Sequence, residues 1–404
     1  MDEALVTRLK GIYEDLHRHP ELSFEEHRTA GIVTEWLNDL GLEVRAGLGE
    51  TGVVGVLRNG PGATVLLRAD MDALPLQEAT GLPYASEVDG VAHGCGHDVH
   101  VTCLLGATAT LVATKADWSG TLVVVFQPAE EVLQGASRML ADDLFEQVPR
   151  PDVVLGQHVA PLPAGVIGLR SGPSFAATNS LRVTMYGAGG HGSRPETTID
   201  PVVMAAATVL RLQGVVAREV AATDVAVVTV GALQAGTKSN IIPDEAQLLM
   251  SVRTYDPHVR DSVRAGITRI VNAEAQASGA TREPLVEDLE SSPAVVNDAD
   301  AVARVHHALG AVVGADRIVD PGLVTGSEDV GVLAAGADAP LVFWLLGGAD
   351  PAHFAEAQGP EDIQRIAADL PSNHSPLFAP VQDPTLEVGV SALVAAARAW
   401  LEAT

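Results

Sequence analysis

Residues 121–131 read TLVVVFQPAEE: an unbroken apolar run from Thr121 to Phe126, a Gln127-Pro128-Ala129 break, then the adjacent carboxylates Glu130 and Glu131. A short valine-rich run without polar alternation fits a strand buried on both faces. Two carboxylates at the mouth of such a strand repel each other unless something positive holds them. Upstream stands Cys95-Gly96-His97-Asp98 and downstream stand His158 and His374, the usual ligand types for a soft or borderline divalent metal. The simplest reading divides the labour of the two glutamates. One binds metal and the other handles a proton from a metal-bound water, which makes the chain a hydrolase.

Outward from this stretch, apolar runs at 52–57, 64–69 and 152–156 join 121–126 as expected strands, with helices expected over 3–18, 24–40, 98–114 and 130–142. The proline in His19-Pro20-Glu21 separates the first two helices. Strands alternating with helices imply βαβ crossovers and a sheet covered on both faces. Asp70 and Asp72 follow 64–69, the glutamate pair follows 121–126, and His158 follows Val153-Val154-Leu155. All are expected just past the C-terminal ends of strands, where open α/β sheets hold their ligands.

The middle of the chain has another rhythm. A strand (181–187), a helix (200–218), strands at 225–231 and 245–254, a helix (258–278) and a closing strand near 284–287 predict a small α+β domain of the split-βαβ, ferredoxin-like type. Gly-rich 187–192 and Ser291-Ser292-Pro293 are expected as turns or hinges. An apolar strand at 341–346 and a terminal helix at 384–402 resume the α/β pattern. The expected organisation is a discontinuous catalytic domain, 1–179 and 288–404, with 180–287 inserted in it.

A chain of 404 residues suits two domains, and 47% hydrophobic with 19% charged residues is a globular composition. Only 4% is aromatic, so the core is expected to be built mainly from Ala, Val and Leu. Lys+Arg 25 against Asp+Glu 52 gives a net charge of −27, which argues against nucleic acid and anionic membrane surfaces as partners. No apolar stretch reaches the roughly 18 residues expected of a membrane span, and Met1-Asp2-Glu3-Ala4-Leu5 is acidic and runs into an amphipathic segment, without a basic n-region or long apolar h-region. Two cysteines make no disulfide framework. A reducing cytoplasm is the expected location.

Each candidate alone has a plain explanation. Cys95 fits as a small buried residue, Asp98 as a helix cap, Glu130 and Glu131 as first-turn charges on helix 130–142, and His158 as a core histidine. Converging on one sheet edge, they are harder to dismiss. Their settings also resemble a known family. Arg68-Ala69-Asp70-Met71-Asp72-Ala73-Leu74-Pro75, His93-Gly94-Cys95-Gly96-His97-Asp98-Val99-His100 and Phe126-Gln127-Pro128-Ala129-Glu130-Glu131 are similar to the amidohydrolase branch of the metallo-aminoacylase and carboxypeptidase superfamily. His17-Arg18-His19-Pro20-Glu21-Leu22-Ser23, Gly189-Gly190-His191-Gly192-Ser193, Ser239-Asn240-Ile241-Ile242-Pro243, Thr325-Gly326-Ser327-Glu328-Asp329 and Asn373-His374-Ser375-Pro376 extend the likeness in order along nearly the whole chain.

The resemblance implies a zinc-exopeptidase-like α/β domain with an inserted lid domain that commonly dimerises, hence a homodimer. It implies two divalent ions (Zn, Mn, Co or Ni) on Cys95, His97, Glu131, His158 and His374, with Glu130 as general base. His191 becomes an oxyanion donor that can reach the partner subunit's site, Asn240 and Arg253 become substrate contacts, and Asp72 orients a metal-binding imidazole. His353, in Asp350-Pro351-Ala352-His353, is the rival to His374. Two departures stand out: Glu196 where relatives often carry His, and the acidic Val286-Glu287-Asp288-Leu289-Glu290-Ser291 segment. Neither favours a glutamate-type leaving group. The implied activity is cleavage of small N-acyl or N-aroyl amino acids. A dipeptidase or carboxypeptidase is the enzyme alternative, and a non-catalytic metal-binding scaffold is the alternative of another class.

Overall fold

The structure, a computed structural model, describes residues 2–403. It divides into unit 1 (Met1–Ser174, Val295–Gly322 and Asp329–Thr404) and unit 2 (Phe175–Ala294 and Leu323–Glu328). In chain order, unit 1 supplies α1 (Glu3–Arg18), α2 (His27–Asp39), β1 (Glu43–Leu48), β2 (Gly52–Asn59), β3 (Thr64–Asp70), α3 (His97–Ala113), β4 (Trp118–Gln127), α4 (Gly135–Ala141) and β5 (Val153–Pro163). Unit 2 follows with β6 (Ala177–Tyr186), β7 (Gly190–His191), α5 (Pro201–Glu219), β8 (Ala226–Ala235), β9 (Ile241–Ile242), β10 (Glu245–Thr254), α6 (Pro257–Ala277) and β11 (Leu285–Ser292). Unit 1 then resumes with α7 (Ala299–Val313), α8 (Val330–Ala337), β12 (Leu341–Ala349) and α9 (Thr385–Arg398).

The long strands of unit 1 lie in the order β1-β2-β4-β3-β5-β12. β3 runs parallel to β4 and β5, and β5 parallel to β12, whereas β1 and β2 join antiparallel. Leu122 to Phe126 on β4 have no exposed surface, as expected of a strand covered on both faces. β1 was not expected. Its Glu43-Val44-Arg45-Ala46 stretch is largely exposed at the sheet edge, so it carries no burial signal. Helix α3 is buried over most of its circumference and packs against α1, α9 and β3.

Three local expectations are corrected. The helix expected over 130–142 starts at Gly135, and 130–134 form a turn with Ala129 and Leu133 at φ 50° and 54°. Left-handed residues cannot continue a right-handed helix, so it is delayed to Gly135, and side-chain carboxylates hold the amides of residues 129–131 in the turn. β5 runs on to Pro163, so His158 lies within the strand and not past its end. Ser291 and Ser292 belong to β11, and the break falls after them at 293–294, where unit 2 gives way to unit 1.

Unit 2 holds an antiparallel sheet in the order β8-β10-β6-β11. That order, with α5 and α6 as crossovers, is the split-βαβ arrangement. Its edges differ from the expected 180–287 because β6 starts at Ala177 and Leu323–Glu328 returns to this unit. Met204, Ala205, Thr208, Leu212 and Val215 form the buried face of α5. By length and composition, α5 is the one helix among the described residues apolar enough to cross a membrane; a third of it is buried.

Candidate metal centre

The ends of parallel strands set the site. Asp70 ends β3 and Asp72 follows it, the 130–134 turn follows β4, and His158 sits on β5 beside Val159. The Cys95 loop enters α3 through Gly96, whose φ of 84° lies in the left-handed region. A Cβ there would meet Val159 Cγ1 at 2.4 Å, so only glycine lets this loop lie against β5. His374 reaches the site from a later loop, at φ 69°, with its N–H donating to the Gly94 carbonyl at 2.8 Å.

Two groups of potential ligand atoms share Cys95. Sγ of Cys95 lies with the nitrogens of His97 and His158 in one, and with Glu131 and His374 in the other, each within 4.8 Å of one another. Cys95 Sγ is 3.5 Å from His158 Nε2. Glu131 faces two imidazoles: its Oε1 is 3.7 Å from His97 Nε2 and its Oε2 is 3.2 Å from His374 Nε2. His97 Nε2 and Glu131 Oε1 are buried without a hydrogen-bond partner. Orphaned ligand atoms of this kind, converging on a thiol, fit a bound cation. Glu130, nearly buried, brings Oε2 to 3.9 Å from His97 Nε2.

Surrounding bonds fix which ring nitrogens point inward. His97 Nδ1 faces Asp72 Oδ1 at 3.3 Å, and His158 Nδ1 donates to the Val159 carbonyl at 2.9 Å, leaving Nε2 of each for the centre. Asp72 also accepts from Ser23 Oγ at 2.7 Å and from the amides of Glu130 and Glu131 at 3.1 and 2.9 Å. Burial favours a protonated Asp72, but the bond from His97 and these donors hold its pKa below the ordinary value. Asp70 accepts from Arg68 at 2.7 Å and from His100 Nδ1 at 2.5 Å, while His100 Nε2 accepts the Val159 N–H at 2.8 Å. His100 is therefore neutral. Burial pulls its pKa down to about 4 despite Asp70.

The centre is electrostatically poised for positive charge. Burial disfavours charged imidazoles, yet the neighbouring Cys95 lifts His158 to about 9. Bonds to Cys95 and Glu131 lift His374 to about 10 despite partial burial. Burial and Glu131 push the Cys95 thiol up, while His158 and His97 pull it down, for a net value of about 7. A thiolate and carboxylates ringed by imidazoles can exchange those protons for divalent ions.

Unit 2 carries the remaining candidates. His191 and Asn240 come together on the β7–β9 ladder, where Ile241 pairs with His191 and Gly192 N–H donates to the Asn240 carbonyl at 2.8 Å. His191 is exposed, and its Nδ1 contacts the Ser193 hydroxyl at 2.8 Å. Arg253 stands apart from that ladder on β10 and donates to the Ser327 hydroxyl. Glu196 is exposed beside Arg194. His353 is exposed in a short helical turn and joins neither ligand group.

Sequence reasoning passed over Glu26, Asn373 and Asp329. Asn373 Nδ2 donates to the carbonyls of Cys95 and Val159, both at 3.1 Å, and stitches two ligand-bearing segments together. Buried Asp329 accepts from Gln127 Nε2 at 2.6 Å and pairs with Arg68 at 3.1 Å. These residues were quoted only as motif neighbours or not at all, and nothing local marks their partners.

Residues 66–365 match the family described as Peptidase family M20/M25/M40. Thermostable carboxypeptidase 2 of Saccharolobus solfataricus is 36% identical over 370 residues, covering 88% of this chain and 92% of the relative. Hippurate hydrolase of Campylobacter jejuni is 42% identical over 293 residues, covering 72% and 75%. A crystal structure from Bacillus subtilis, described as a dinuclear metal-binding peptidase of the M20 family, aligns with a TM-score of 0.79 at 30% identity, covering 98% of this chain and 99% of that one.

Proposed function

The chain belongs to peptidase family M20/M25/M40, hydrolases of amide bonds, and from that premise we propose a dinuclear metal-dependent amidohydrolase that cleaves N-acyl or N-aroyl amino acids to a carboxylate and a free amino acid. Family membership removes the non-catalytic scaffold alternative. The observation that carries the reading is the unequal placement of the glutamate pair. Glu131 spans two imidazoles, whereas Glu130 sits beside the ligand atoms on the same turn.

Cys95, His97, Glu131, His158 and His374 would hold the ions, with Cys95 shared between them. Divalent ions bound there would supply Lewis-acid activation of water and of the scissile carbonyl. Glu130 takes the proton from the attacking water and returns it to the leaving amine. Asp72 aims His97 and holds the turn that carries both glutamates. On unit 2, the reading gives His191 the oxyanion-donor role and Asn240 and Arg253 the substrate contacts. Arg253 supports this: it is half-buried and donates to the Ser327 hydroxyl, with no carboxylate paired to it among the described residues. That leaves a guanidinium for a substrate carboxylate. Val203 and Leu210, 64% and 76% exposed on α5, support a homodimer through unit 2. Cys95 and Cys103, both free and buried, suit a cytoplasmic location.

The test is Glu130→Gln. Turnover should fall about 10²–10⁴-fold with two ions per chain retained, and near-normal turnover would remove Glu130 as base. The carboxypeptidase relative supports the peptidase alternative. Faster turnover of dipeptides than of acetyl- or benzoyl-amino acids would favour it.

A further inference from the structure

We infer that Glu26 is a positioning residue for Glu130: its buried carboxylate holds the Ala129 turn from which the base projects. The inference rests on reading Glu130 as the base. Glu26 precedes α2 and has no exposed surface. Its Oε1 accepts the Ala129 N–H at 2.8 Å and its Oε2 accepts the Thr51 hydroxyl at 2.5 Å. Neither of these partners is a cation, and burying a carboxyl group on neutral donors costs stability.

What the carboxylate does is local. Ala129 is left-handed, a conformation that alanine disfavours, and the sequence that follows prefers a helix from residue 130. Glu26 takes the amide of Ala129, and Asp72 takes those of Glu130 and Glu131. Three consecutive amides are thus anchored by side-chain oxygens, which fixes the orientation of each peptide in the turn. Without the first anchor, the Ala129 peptide can leave its left-handed conformation and swing the Glu130 side chain about the remaining Asp72 bonds. The Asp72 anchors still hold Glu131.

Hydrogen exchange on the metal-free protein, read over peptides spanning Gln127–Leu133, tests this together with kinetics and metal content of the loaded enzyme. Glu26→Ala should speed exchange there about tenfold or more and lower kcat about 10- to 100-fold, with KM and metal content unchanged. Glu26→Gln keeps an acceptor oxygen and should restore both. Thr51→Val, which removes one donor and leaves the turn residues intact, should shift exchange in the same direction if Glu26→Ala does not fold. Unchanged exchange, or metal loss in step with kcat, overturns the inference. So does unchanged kcat in Glu26→Ala while Glu130→Gln is inactive. An active Glu130→Gln variant instead overturns the base assignment, and the exchange data still report on the clamp.

Discussion

At the scale of residues, the centre is a competition between protons and metal. His158 and His374 hold protons up to about 9 and about 10 because Cys95 and Glu131 outweigh their burial. Metal ligation requires those protons to leave. Zinc affinity should therefore rise steadily from about pH 6 to 9, with proton release visible by calorimetry in buffers of different ionisation enthalpy. A pH-independent affinity would contradict this charge arrangement. Asp72→Ala should lower metal affinity about 10- to 100-fold, since it removes the group that aims His97 and anchors the glutamate turn; equilibrium dialysis measures it.

At the scale of elements, α1 and α3 meet through a buried pair. Burial works against a charged His17, but Asp98 at 2.6 Å and Glu78 at 3.3 Å raise its pKa to about 10. A folded value above the unfolded value of about 6.5 means that this stabilisation is complete below about pH 6.5 and is lost as pH rises towards 10. The melting-temperature gap between the metal-free protein and its His17→Gln variant should therefore be widest near pH 6 and shrink by pH 10. The entry to α3 is the other sensitive joint. Gly96→Ala combines a left-handed backbone with a Cβ against Val159, and should cost about 2–4 kcal/mol by denaturant unfolding. Metal affinity should fall with it, because Cys95 and His97 flank that glycine.

At the scale of the whole molecule, the proposed dimer predicts a solution mass of twice the 41.9 kDa chain. Leu210→Asp, on the exposed face of α5, should halve that mass in light scattering while leaving metal content intact. A monomeric unmodified protein would remove the interface.

What could be read in the chain was whatever is encoded by neighbours in sequence. The run 121–126 specifies a doubly buried strand through composition alone, and the β-α-β-β-α rhythm of unit 2 follows from local periodicity. The ligand types are equally local, as is the placement of the glutamate pair past a strand end; that of His158, inside β5, is not. The turn at 130–134 was not legible, because residues 130–142 have helical preference and the carboxylates that anchor the turn's amides come from Glu26 and Asp72. Nor was the difference between His100 and His158: the two rings lie 4.6 Å apart, yet one is locked neutral on the Val159 amide and the other faces the thiol. The sequence by itself determined the fold class and the chemical inventory, since burial patterns and residue types are properties of short segments. Only the tertiary structure decided which carboxylate anchors which amide, because hydrogen bonds between residues 58 to 103 positions apart leave no period in the chain.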